Sequence, residues 1–174
     1  MTIAVVAGNP KPDSRTLEAA VLVARRLTAA EPDVVIDVVR LGAGLLTLGD
    51  PAVTAAVESV RKCDLLVVAS PTFKASFTGV LKCFLDQFPG GGLAGITAFP
   101  VMLGAGPGHA MAPEVMLRPV LTELGASCPA RGLYLLDTAY TDEAGWAAWL
   151  AAAQAAAAIT VAAAMDTAAR DGRP

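Results

Sequence analysis

The chain has one histidine, three cysteines and 5% aromatic residues, and charged side chains make up only 17% of it. Each scarcity closes off a class of function. A Ser-His-Asp relay needs a histidine beside a nucleophile and a carboxylate, and His109, the only histidine, belongs to no such pattern. That counts against hydrolases. Cys63, Cys83 and Cys128 are odd in number and lack metal-ligand spacing. All three read as small buried apolar residues, and no metal is expected. No Lys/Arg cluster stands out, and a net charge of -3 with a pI near 5.1 supplies no positive field. Nucleic acid is therefore not an expected partner. No charged leader and apolar signal segment precede the first apolar run, which points to the cytoplasm and reduced thiols. The stretch WAAWLAAAQAAAAITVAAAM is long enough to cross a bilayer, but alanine is nearly indifferent to lipid, Gln154 interrupts it and basic flanks are sparse. A covering helix from about Asp142 to Ala169 is expected instead of a membrane anchor.

What is present is an alternation of short apolar runs and amphipathic segments. At 174 residues, the chain from 1 to 174 is expected to form one domain. Leu65 to Ala69 is a continuous apolar run, the pattern of a strand covered on both faces in a parallel sheet. Val80, Leu81, Phe84, Leu85 and Phe88 follow at helical spacing. Further strands are expected at Ile3 to Ala7, Val34 to Val39, Thr97 to Leu103 and Leu133 to Leu136, although Pro100 is unusual inside a strand. Leu17 to Leu27 carries a helical apolar stripe, and Asp50-Pro51 is an N-cap with proline at the first helical position, opening a helix to about residue 62. Between strand and helix, Leu41 to Gly49 is apolar for a loop. It either meets a covering subunit or ligand or folds onto its own core. Five strand–helix units predict an α/β, doubly wound parallel sheet, and five strands suit the flavodoxin-like order 2-1-3-4-5.

In such a sheet, ligands bind where strands end and crossovers diverge. The first loop, Gly8-Asn9-Pro10-Lys11-Pro12-Asp13-Ser14-Arg15-Thr16, has nine residues, more than the usual ~2 to 6. Asp13 or Ser14 can cap the following helix, whose start offers free N–H groups and a positive dipole to a phosphate. The central turn, Ser70 to Ser76, brings Pro71, Thr72, Phe73 and Lys74 alongside. Gly104, Ala105 and Gly106 form a glycine-rich turn that is not a dinucleotide fingerprint but permits close backbone approach to a flat ligand. His109 reads as a structural residue near a helix start. The helix from about His109 to Leu124 contains Pro119, which removes a donor and clashes with the Val115 carbonyl. Base rates favour an ordinary proline kink there over a π-bulge.

The run Ser70-Pro71-Thr72-Phe73-Lys74-Ala75-Ser76-Phe77-Thr78-Gly79-Val80-Leu81-Lys82, with Leu85-Asp86, resembles the NADPH-dependent FMN reductase family, particularly the flavin reductases paired with alkanesulfonate monooxygenases. Gly8-Asn9-Pro10, Ser14-Arg15-Thr16, Gly104 to His109 and Leu117 to Leu121 match in order, with Asn9 where a serine is usual. The resemblance spans residues 3 to about 137. It implies a dimer or tetramer with FMN at a subunit edge, NADPH (or NADH) as the reductant and hydride transfer from nicotinamide C4 to flavin N5. It also implies a partner monooxygenase that receives reduced flavin. The protein then supplies position and charge, so no catalytic acid or base is required. The implied cofactor contacts are Gly8, Asn9, Ser14, Arg15, Thr16, Pro71, Thr72, Phe73, Lys74, Gly104, Ala105, Gly106 and His109. Lys74 either stabilises anionic reduced flavin or is a solvated turn residue, and Arg15 meets either the FMN phosphate or a 2′-phosphate. Two other functions suit the same fold: an FMN-bound reductase of quinones, azo compounds or chromate, and an electron carrier.

Overall fold

A computed structural model of the chain describes residues 1–170. At its centre five parallel strands are hydrogen-bonded in the order β2-β1-β3-β4-β5. They are β1 (Ile3–Ala7), β2 (Val34–Asp37), β3 (Leu65–Pro71), β4 (Thr97–Gly104) and β5 (Leu133–Leu136). The expected flavodoxin-like order is the one found. The apolar runs of β1 and β3 are buried from end to end, because alternate side chains feed two separate cores. Ile3, Val5, Leu65 and Val67 pack with α1 (Arg15–Thr28) and α5 (Ala147–Arg170). Ala4, Val6, Leu66 and Val68 pack on the other face with α2 (Pro51–Val60) and α3 (Gly79–Leu85). There Phe84 meets Phe88 edge-on at 5.4 Å between centroids. α4 (Arg118–Glu123) covers the same face.

Pro100 sits inside β4, opposite Val68, and the ladder explains why it is tolerated. Ala98 donates to Ser127 on the β5 side, and a residue two further along points its N–H the same way. Pairing with β5 starts only at Val101, so the donor that proline lacks has no strand to serve.

Several boundaries move. β2 stops at Asp37 instead of Val39, and Val38–Leu46 winds as 3-10 turns broken at Gly42, where φ is 58° and ψ -140°. The greasy loop is thereby divided. Leu45 is buried, while Leu46 and Leu48 are 81% and 90% exposed. The last helix starts at Ala147, after a 3-10 turn at Glu143–Trp146, and not at Asp142. No helix among the described residues is long and apolar enough to cross a membrane. Cys63 and Cys128 are buried and Cys83 is half-buried. Burial, with Asp64 adding to it, pushes the Cys63 thiol up to about 12, so it is inert as a nucleophile.

The ordinary kink expected at Pro119 is not what forms. Pro113–Leu117 is a π-helical turn, and Arg118 N–H bonds back to the Pro113 carbonyl, five residues earlier. A wider turn ahead of the proline relieves the clash its ring would make with the preceding turn. Glu114 pins this turn to the β5 approach: it accepts from Gly132 N at 2.7 Å and from the Arg118 guanidinium. These contacts, the Gly132 N–H first, hold its carboxyl below the usual range. A depressed carboxylate stabilises the fold above its unfolded pKa and loses that contribution as pH falls through the folded value. The anchor therefore holds at neutral pH. Gly132 must be glycine-sized, since a Cβ there would lie 2.7 Å from the Pro113 carbonyl carbon.

Candidate active site

Three loops converge at the carboxyl ends of β1, β3 and β4. In the first, Ser14 is the N-cap of α1: its backbone is extended and its hydroxyl accepts from Leu17 N at 3.4 Å. Asp13 is excluded from that role by a left-handed φ of 49°. Its N–H instead donates to Asp37, whose carboxylate also meets Arg40. Asn9 folds back across the loop, donating to Thr16 Oγ1 at 2.9 Å and accepting from Lys11 N. Both hydroxyls act as acceptors in these contacts, so the protons of Ser14 and Thr16 remain free to donate. The N–H groups of Arg15 and Thr16, at the first positions of α1, have no intrahelical acceptor.

The second loop is anchored by buried polar groups. Thr78 caps α3 through Leu81 N, its hydroxyl donates to the Gly8 carbonyl, and its own N–H donates to Ser70 Oγ at 3.0 Å. The ends of β1 and β3 and the start of α3 are thus tied at one point. Gly8 is the close-approach residue, since a Cβ there would fall 2.2 Å from Leu81 Cβ. Beyond Thr72, Phe73 and Ser76 exchange backbone hydrogen bonds around Lys74 and Ala75, both with positive φ. This tight two-residue turn holds Phe73, 53% exposed, at the rim. Among the described residues four non-glycine residues have positive φ, and three of them lie in these two loops, where such strain commonly accompanies function.

The third loop follows β4. A Cβ on Gly104 would meet Tyr134 Oη at 2.0 Å, and that hydroxyl donates to the Gly106 carbonyl at 2.7 Å. Tyr134 thereby fixes the turn from beneath.

The loops enclose a cleft of about 480 Å³, within the ~300–1,000 Å³ range of small-molecule sites. Of the expected residues, Asn9, Ser14, Arg15, Thr16, Pro71, Thr72, Phe73, Gly104 and Ala105 line it. Gly8 lies beneath, against α3. Lys74, Gly106 and His109 stand outside the lining, and Gly106 faces open space. The sequence reading missed Lys11, Asp13, Glu18, Leu103 and Asp137, which complete the wall. It also missed Tyr134. Glu18 accepts from the Tyr140 hydroxyl, which raises the tyrosine pKa.

Residues 1–141 match the family model of the NADPH-dependent FMN reductases. The chain belongs to that family. An Escherichia coli K12 protein named FMN reductase (NADPH) is 34% identical over 92 residues, 53% of this chain and 48% of the relative. A Pseudomonas fluorescens NADH-dependent FMN reductase SfnF is 32% identical over 106 residues, covering 59% and 55%. The chain spans about half the length of these curated relatives. A solved NADH:FMN oxidoreductase, EMOB in its apo form, superposes with a TM-score of 0.81 at 30% identity, covering 91% of this chain and 89% of that one.

The residues of the cleft can be compared with what a phosphate-bearing flat ligand such as FMN needs. A phosphate needs convergent donors, and the start of α1 with the Ser14 and Thr16 hydroxyls offers them. A flat ring system needs a slot without intruding side chains, and Gly104, Ala105 and Phe73 border one. Thr72 also lines the cleft, and its Oγ1 is buried with no hydrogen-bond partner among the described residues.

Proposed function

We propose that this chain reduces FMN with NADPH or NADH and passes reduced flavin to a flavin-dependent monooxygenase. The observation that carries this reading is the cleft, which brings the α1 start and the Ser14 and Thr16 side chains together with Phe73 and Gly104 in a chain of this family. Bound there, FMN would supply the hydride acceptor. The residues of the chain supply everything else by position. Ser14, Thr16 and the first N–H groups of α1 hold the phosphate. Phe73 and the Gly104-Ala105 backbone would border the ring. Both nicotinamides occur in the names of the relatives, which supports use of either.

Ser14→Ala combined with Thr16→Ala is expected to raise the FMN dissociation constant at least about tenfold. Each lost charge-assisted bond is worth roughly 1.5–3 kcal/mol. Flavin fluorescence quenching measures it, and unchanged affinity removes the cradle. Stopped-flow oxidation of NADPH and NADH, with and without added FMN, tests the activity; no FMN-dependent rate would refute it.

Self-association as a dimer or tetramer belongs to the same reading. Met111, Val115 and Met116 are 52%, 54% and 39% exposed on and beside the π turn, a face suited to a second subunit. Val115→Asp should yield a smaller species in sedimentation, and wild-type sedimentation of the mutant would place the interface elsewhere.

A further inference from the structure

Arg15 sits at the first position of α1, where its charge adds to the phosphate cradle, yet its guanidinium is drawn across the cleft. Nη1 donates to the Asp137 carbonyl at 3.0 Å, and Nη2 lies 3.5 Å from Asp137 Oδ2. The two residues are 122 positions apart. Asp137 is held in place by its own N–H, which donates to the Gly104 carbonyl at 3.0 Å. The pair therefore bridges the phosphate loop and the ring slot. The other two carboxylates of the wall are engaged differently: Asp13 pairs with Arg40, and Glu18 accepts from Tyr140. Among the described residues, Arg15–Asp137 alone is an ion pair whose cation and carboxylate both line the cleft.

We propose that Asp137 tunes flavin affinity by competing with the flavin phosphate for Arg15. The inference rests on the reading that FMN places its phosphate at the start of α1. An entering phosphate must either draw Arg15 away, leaving the Asp137 carboxylate uncompensated nearby, or bind without the help of that cation, and both weaken binding. When the phosphate leaves, Asp137 recaptures the guanidinium and no cation is stranded. Asp137 is a positioning residue that weakens the hold on flavin, as suits a protein that hands its flavin on.

Asp137→Asn removes the charge while keeping the side-chain size and the backbone carbonyl that Arg15 contacts. The FMN dissociation constant is expected to fall about fivefold, the scale of one partly exposed charge pair. Riboflavin, which lacks the phosphate, should bind with unchanged affinity. The gain should be smaller in an Arg15→Ala background and at high salt, where exposed charges are screened. An unchanged FMN-to-riboflavin affinity ratio in D137N, with the melting temperature preserved, overturns the proposal. Failure of the wild type to bind either flavin overturns the reading beneath it as well.

Discussion

Gly8→Ala is expected to lower stability by about 3 kcal/mol or more, the upper part of the range for overpacked cores. For a chain of this size that is roughly 6–12 °C in melting temperature. The new Cβ would lie 2.2 Å from Leu81 Cβ and 2.8 Å from Leu81 Cα. A flexible side-chain tip could move aside, but here the obstruction is helix backbone. Relief requires α3 to shift, and Leu81 is fully buried in the core beneath it. Because Gly8 precedes the first loop of the cleft, the proposed flavin binding should fail along with stability. Gly79→Ala is the matched control, since a Cβ at that first position of α3 meets nothing within 4 Å. Thermal melts of both variants decide it. A Gly8→Ala protein within 2 °C of wild type would mean that α3 approaches less closely than described.

The second large effect is expected from Thr78→Val, which keeps the side-chain shape and removes one hydroxyl. That hydroxyl caps α3 and satisfies the Gly8 carbonyl, at a residue 2% exposed. Loss of the cap costs about 1 kcal/mol and the unpaired carbonyl about 1–3 kcal/mol more. A total of about 2–4 kcal/mol should appear in denaturant unfolding, and Thr78→Ser should restore most of it. Thr78→Val and Gly8→Ala disturb one contact, so together they should cost less than the sum of their separate effects. Strict additivity would show that the two residues act independently.

Much of this architecture is legible in the chain because its signals are local. The apolar run Leu65 to Ala69 marks a strand covered on both faces, and the length and composition of Gly8 to Thr16 mark a loop that lines the cleft. What escaped notice depends on partners chosen at long range. Nothing near Asp137 points to Arg15, because their meeting follows from the order β2-β1-β3-β4-β5 and not from spacing. Tyr134 reads as one residue of a short strand until β4 lies beside it and its hydroxyl reaches Gly106. The turn at Lys74-Ala75 was hidden for another reason: neither residue is the Gly or Asn that usually signals left-handed backbone. The choice between Asp13 and Ser14 as cap needed the backbone angle itself. At Pro119 the proline was visible, but how the chain would accommodate it was not.

The π turn alters how the face of its helix should be counted. Ala112 and Pro113 are buried before the turn and Leu117 and Leu121 after it, and the turn itself closes over five residues, from the Arg118 N–H to the Pro113 carbonyl. A wheel drawn with one period through the whole segment therefore sets one end about 100° out of phase with the other. One residue is surplus to regular winding. A relative lacking one residue between Ala112 and Leu117 could wind this stretch as plain α-helix and still seat both ends on the sheet. In an alignment, a single gap at that place marks a change of helix type and not a lost element.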